Sequence, residues 1–361
     1  MNILLSGLSN DRVELNLARA LMDAGVNLSI IASSGSPAET LARERGALAA
    51  THDFSSRIDR NAVQLYRQLV PERKINLIHA LTNRALSTAL SAQRRLDPAP
   101  RIVAYRGTMG HLSRLDPASH FSYLNRRVDC IICVSDAVRR YLKTFRIPDD
   151  RLAVIWKGHD PSWYRSAPRS ILREWNIPDG STVVNFTGNI RPVKGVDYLL
   201  DAFEGIDPAE NIHLLVVGEV RDPSIRQRMG RHPHVHFTGF RNEATALVGA
   251  CDLAVMPSIE REGLPKAVSE AMAQQVPCVV SDVGGLPELV ENGVSGIVIP
   301  PRDAAAIRDA VRALAADPER RRTMGRAARA RVEGVFNFRH TVEKTRAVYE
   351  RLLAPHHASA R

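Results

Sequence analysis

Between Pro257 and Pro301 the chain carries two glutamates eight positions apart, Glu262 and Glu270, with Gly263-Leu264-Pro265 between them. Carboxylates accept hydrogen bonds from sugar or ribose hydroxyls. A proline suits the first position of a helix, where its missing N–H costs nothing, so Pro265 leaves the amides near Gly263 and Leu264 pointing outward, a site for hydroxyls and anions. At about 3.6 residues per turn, Glu270 then returns to nearly the same face as Glu262. An isolated pair at this spacing is ordinarily solvated. Here a second strand-to-helix turn, Asp282-Val283-Gly284-Gly285 before Pro287-Glu288, stands beside it. Upstream, Gly188-Asn189-Ile190-Arg191-Pro192-Val193-Lys194-Gly195 brings an arginine and a lysine to the start of another helix. Its dipole already favours negative charge, and the two cations add to that preference. The bland reading of that segment is a solvated basic loop.

These residues need strands to position them. Short apolar runs at 183–187, 214–217, 235–238, 253–256, 278–281 and 297–299 alternate with helical patterns. The first half repeats the scheme, with strands expected at 3–6, 28–32, 77–81, 102–105, 130–134 and 152–156. Continuous apolar strands separated by amphipathic helices predict parallel sheets covered on both faces. The expected fold is therefore α/β, with two doubly wound, Rossmann-like domains, and in such sheets ligands bind at the carboxyl ends of the strands. Pro161 and Pro168 interrupt any regular pattern. The predicted division is 1–165, 166–335, and a last helix with tail at 336–361.

A chain of 361 residues suits two domains. No apolar run approaches the roughly 20 residues that cross a bilayer, and the opening MNILLSG lacks a basic leader, so a cytoplasmic protein is expected. Cys130 and Cys133 form C-x-x-C inside an apolar run, where a strand would send them to opposite faces, so core packing is expected rather than redox or metal chemistry. No residues have metal-ligand spacing, and no metal or cofactor is expected. The net charge of +10 is uneven: 24 Lys and Arg against 15 Asp and Glu in residues 1–165, and 25 against 24 beyond. Such a basic half steers anionic partners. The aromatics Trp156, Trp163 and Tyr164 are expected to pack at the domain junction.

The segments FTGNIRPVKGVDYLLDAF, LLVVGE, VHFTGF, CDLAVMPS, EGLPKAVSEAMA and VGGLPELVENGVSGIVIPPRD, in that order across about residues 180–310, resemble the retaining glycosyltransferases of family four. The first half resembles them more loosely, through MNILLSG, RIVAYRG and CIICVSDAVRRYL. The resemblance implies the GT-B architecture, two domains facing a cleft, and a nucleoside diphosphate sugar as donor. By it Glu262 would hold the donor sugar and Glu270 the ribose hydroxyls, while Arg191 and Lys194 would neutralise the diphosphate. Gly188, Asn189, Gly218, Gly263, Leu264 and Pro265 would line the donor site, and Gly239, Phe240 and Arg241 would border the base. Gly7 and Asn10, in a loop that is not G-x-G-x-x-G, would lie on the acceptor side with Arg106, Thr108 and His111.

Two positions depart from the family pattern. Asn189 stands where an arginine commonly follows the glycine, with Arg191 two residues on. Arg106 stands where a histidine is frequent and is read as an anion contact. The implied reaction is retaining sugar transfer in bacterial cell-surface polysaccharide or lipopolysaccharide assembly. Its acceptor would be anionic, lipid-linked or an oligosaccharide, at the inner face of the cytoplasmic membrane. A nucleotide-sugar epimerase or phosphorylase-like enzyme of the same fold is the alternative. A nucleic-acid-binding protein using the basic half is a more distant one, since the half lacks interleaved aromatics, and no nucleic acid is expected.

Overall fold

The computed structural model describes residues 1–354. Two compact units divide the chain, one formed by Met1–Lys157 together with the segment from Phe338 onward, the other by Gly158–Asn337. The first contains a parallel sheet of seven strands: β1 (Asn2–Ser6), β2 (Asn27–Ala32), β3 (Leu48–Thr51), β4 (Leu77–Ala80), β5 (Arg101–Arg106), β6 (Cys130–Cys133) and β7 (Leu152–Val154). Their spatial order is β3-β2-β1-β4-β5-β6-β7. Ile3 pairs with Leu28 on one side and Leu77 on the other, and all three are buried, as strands covered on both faces must be. Asp11 caps the helix Arg12–Asp23 by accepting from the Val13 and Glu14 amides, and this helix buries Val13, Ala18 and Leu21 against the sheet.

The second unit holds β8 (Thr182–Thr187), β9 (Ile212–Val217), β10 (Val235–Gly239), β11 (Leu253–Met256), β12 (Cys278–Ser281) and β13 (Gly296–Ile299), in the order β10-β9-β8-β11-β12-β13 and again parallel. Two doubly wound, Rossmann-like sheets are therefore present, as the alternating pattern predicts. Only β3 lacked a signal. Its sequence LAAT is half-exposed at the sheet edge and contains no apolar run.

The division falls between Lys157 and Gly158, and again between Asn337 and Phe338, rather than at 165/166 and 335/336. The His159 amide donates to the Phe336 carbonyl at 2.8 Å, and His159 bridges to Asn337, which ties the residues after 157 into the second unit. Trp156 belongs to the first unit, and Trp163 and Tyr164 to the second. Trp163 and Tyr164 pack with each other, and Tyr164 with His159, in the second unit, while Trp156 receives Lys344 over its ring in the first. The terminal helix Phe338–Leu353 docks on the first unit through Thr341, whose hydroxyl donates to the Trp156 carbonyl, and through Tyr349, 2.6 Å from His79 Nδ1. Cys130 and Cys133 are free and buried, and burial pushes both thiols up, to about 11 and about 12. Among the described residues no helix is long and apolar enough to cross a membrane.

Candidate active site

In the second sheet the strand order reverses at β8, with β9 and β10 on one side and β11 to β13 on the other. In doubly wound sheets, ligand sites lie at the carboxyl ends of the strands that flank such a switch point. The loops after β8 and β11 meet there. The Ile259 amide donates to the Val193 carbonyl at 3.0 Å. Gly195, at φ +64, lies so close that a Cβ would stand 2.1 Å from the Pro257 carbonyl oxygen. Gly218, after β9, has φ +142 and would place a Cβ 2.0 Å from the Gly188 oxygen. Both positions demand glycine, for conformation and for space.

Three strand ends then hold one carboxylate. Lys194 Nζ, from the loop after β8, lies 2.5 Å from Glu262 Oε1, and the Ser258 hydroxyl, just beyond β11, donates to the same oxygen at 2.6 Å. The Ser281 hydroxyl, at the end of β12, anchors the Ser258 carbonyl, and the Gly285 amide donates to the Glu262 carbonyl at 3.3 Å. The Lys194 and Glu262 side chains keep only 15% and 12% of their exposure, which strengthens their attraction over that of a surface pair. The hydrogen bonds from Lys194 and Ser258 both fall on Oε1, and among the described residues none is made to Glu262 Oε2. Arg191 is exposed, precedes the short turn Pro192–Lys194, and makes no ion pair among the described residues.

One expectation needs correcting. Pro265 is the cap residue, not the first helical one, and the helix runs from Lys266 to Ala273. Glu262 therefore lies in the preceding loop, where Arg261 has φ +62, a conformation no helix contains. Glu262 therefore does not lie two helical turns from Glu270. Glu270 sits half-buried on the helix itself. With Glu262 in the loop and Glu270 on the helix, the two glutamates do not share a helical face.

At the end of β10, Phe240 is 71% exposed. Its neighbour Arg241 pairs with Glu174 and lies over the Trp175 ring at 5.1 Å, which fixes the turn beneath the phenylalanine. Asn189 is exposed at the end of β8. Ser258, Ser281, Glu174 and Trp175 went unnoticed in the sequence. Ser258 was visible only as the last letter of CDLAVMPS, and the others contact their partners from at least twenty residues away.

In the first unit, Gly7 and Asn10 follow β1, and Arg106 ends β5 ahead of Thr108 and His111. Asn10, Thr108 and His111 are exposed. Arg106, read from sequence as an anion contact, is 7% exposed. Its Nη2 donates to the Gly110 carbonyl and its guanidinium lies over the Tyr123 ring at 4.6 Å, so here it holds the loop that carries Thr108 and His111. Lys157 is buried against Asp11 (3.1 Å) and Glu14 (3.0 Å), beside the Gly7–Asn10 loop. Burial works against its charge, but Tyr105, Glu14 and Asp11 outweigh it and raise the ammonium above its usual range. Among the described residues no group of three or more His, Cys, Asp or Glu side chains is arranged to hold a metal ion.

Known proteins match both units. The family model described as Glycosyltransferase Family 4 covers residues 11–163, and that described as Glycosyl transferases group 1 covers 169–331. Alpha-maltose-1-phosphate synthase of Mycolicibacterium smegmatis is 31% identical over 63% of this chain and 64% of its own length. D-inositol 3-phosphate glycosyltransferase of Nocardia farcinica is 28% identical over 62% and 53%. The match thus spans between half and two thirds of these curated relatives. The crystal structure of HepE from Anabaena in complex with UDP superposes over 97% of this chain and all of its own, with a TM-score of 0.80 at 21% identity, which shows a shared fold. With both sheets and both family models in agreement, the chain belongs to glycosyltransferase family four, of the GT-B architecture.

Proposed function

We propose that this protein transfers a glycosyl group from a nucleoside diphosphate sugar to an acceptor hydroxyl, with retention of anomeric configuration. The observation that carries this reading is the convergence of Lys194 and Glu262 at the switch point, a cation for phosphate and a carboxylate for hydroxyls within 2.5 Å of each other. Lys194 and Arg191 take the diphosphate, which the backbone at Gly188, Asn189 and Gly218 approaches closely. Glu262 and the amides at Gly263 and Leu264, ahead of Pro265, orient the sugar. Glu270 accepts from the ribose, and Phe240, with Gly239 and Arg241, borders the base. The presence of UDP and of UDP-glucose on HepE supports a uridine nucleotide as the first donor to try.

In the proposed step the acceptor oxygen attacks the anomeric carbon from the face the diphosphate leaves. The new C–O bond forms as the bond to the phosphate oxygen breaks, the electron pair departs with the diphosphate, and the acceptor proton passes to a leaving phosphate oxygen. Negative charge grows on the diphosphate during this step, where Lys194 and Arg191 stabilise it. Gly7, Asn10, Thr108 and His111 serve the acceptor side. The charge of the first unit favours an anionic acceptor, lipid-linked or an oligosaccharide of bacterial cell-surface polysaccharide or lipopolysaccharide, met at the inner face of the cytoplasmic membrane.

Incubation with UDP-glucose and a panel of phosphorylated and lipid-linked acceptors, followed by NMR of the anomeric proton, tests the reading. An α-linked product from the α-donor is expected. A β-linked product, or conversion of the sugar without any acceptor, would overturn it.

A further inference from the structure

The division of charge is sharper by structural unit than by sequence half. The first unit has 28 Lys and Arg against 16 Asp and Glu, and the second 21 against 23, giving +12 and −2. The excess is not spread evenly. At the amino ends of β6 and β7, on the side of the first sheet away from Gly7 and Asn10, a groove of about 800 Å³ is lined by Arg114, Arg126, Arg146, Arg151 and His120, and by no carboxylate. None of the four arginines has an ion-pair partner among the described residues. Of the nearby acids, Asp129 pairs with Arg101 at 2.8 Å and Asp149 with Lys143 at 2.5 Å, while Asp129 and Asp150 also lie close enough to act on Arg151. Two of the guanidiniums are fixed from behind: Arg151 donates to the Val128 and Asn125 carbonyls, and Arg114 to the Thr144 carbonyl. Their remaining N–H groups are thereby held for an acceptor.

The next residue, Arg127, lines a second hollow of about 560 Å³ with Arg94. Burial, and then the like charge of Arg94, lower its pKa. Arg101 and Asp129 line the same hollow, but they pair with each other at 2.8 Å, which leaves Arg94 and Arg127 as its uncompensated cations. The groove is also flanked by apolar side chains that no soluble anion requires. Leu115, beside Arg114, is 93% exposed, and Phe121, beside His120, is 43% exposed. Guanidiniums without ion-pair partners, next to an outward leucine and phenylalanine, match a surface of phosphate headgroups over acyl chains.

We propose that this arginine groove, with Leu115 and Phe121, docks the first unit on the anionic phospholipid headgroups of a membrane. The proposal goes beyond sugar transfer and does not depend on the donor site, so either can fail without the other. Sedimentation of the full chain with phosphatidylglycerol-containing or pure phosphatidylcholine vesicles tests it. The wild type is expected to bind the anionic vesicles at least tenfold more tightly, and increasingly weakly as salt rises. Arg126→Glu with Arg146→Glu should lower that binding by more than roughly thirtyfold, the factor expected from the loss of two surface charges alone. Arg126→Gln with Arg146→Gln is the milder pair should the reversal impair folding. Leu115→Ser with Phe121→Ser should weaken binding but keep its preference for anionic lipid. Arg322→Glu with Arg326→Glu, on the second unit's exposed helix Pro318–Gly334, changes the net charge equally and should leave binding intact. Equal binding to neutral vesicles, equal loss from the Arg322 and Arg326 pair, or tighter capture of pyrophosphate or RNA than of vesicles by the same arginines would overturn the assignment.

Discussion

Lys194 and Glu262 each keep the other from standing alone as a mostly buried charge. Lys194→Ala removes a cation from the departing diphosphate and should reduce turnover by ~30-fold to 1000-fold. It also leaves Glu262 with Ser258 alone, so the ligand-free protein should lose about 2 kcal/mol, somewhat below the cost of breaking a fully buried pair. Adding Glu262→Gln should restore part of that stability and none of the turnover, as chemical denaturation and steady-state assays would check. An unchanged midpoint in Lys194→Ala would show that the pair does not form in solution. Phe240 is a simpler case. Its ring is exposed and supports no core, so Phe240→Ala should leave the midpoint alone and raise the donor KM roughly tenfold, the usual worth of stacking on a base. An unchanged KM would remove Phe240 from the donor site. The types of these residues were legible in the sequence because each sits at a strand end within a compact motif. Their pairing was not, because 68 positions separate Lys194 from Glu262 and only the sheet order joins them.

Histidines make two of the elements sensitive to acid. His213 on β9 places Nε2 3.3 Å from Asn211 Oδ1, which also accepts from Ser181, so that nitrogen carries the proton. Nδ1 must then accept from His236 of β10 at 3.0 Å, and the His234 ring stacks on His213 at 4.0 Å. Burial first, and then His234, His236 and His232, push His213 down to about 4. His79, held by Tyr349 of the terminal helix, is pushed to about 3 by burial. Both folded values lie below the unfolded value near 6.5, so the unfolded chain binds more protons in between. The stability of these sites is full above about pH 6.5 and is lost as pH falls through about 4 and 3. His79 alone should account for about 2 kcal/mol between pH 7.5 and 5. Denaturant titrations at the two pH values check this, and His79→Gln should flatten the dependence. A stability equal at both would contradict the buried, neutral imidazoles. At this scale most strands were visible as apolar runs, whereas β3 was hidden by its alanines and edge position. The helix starts at Lys266, one residue beyond the position expected for Pro265, because the proline adopts an extended conformation and caps the helix.

Across the whole molecule, the two-sheet plan follows from alternating patterns that any single run would have left ambiguous. The unit boundary does not, because it depends on a hydrogen bond between His159 and Phe336, at opposite ends of the second unit. With Arg191 and Lys194 present for the diphosphate, sugar transfer should survive EDTA, and complete loss restored by magnesium or manganese would refute that division of labour. The central claim is that the β8 and β11 loops of the second unit form a nucleoside diphosphate site. Its most direct test is calorimetric titration of UDP, GDP and ADP into the wild type, Lys194→Ala and Glu270→Gln. One nucleotide should bind the wild type, with affinity at least tenfold weaker in each variant, through the phosphates in the first and the ribose in the second. Binding of that nucleotide with unchanged affinity in both variants would contradict the account.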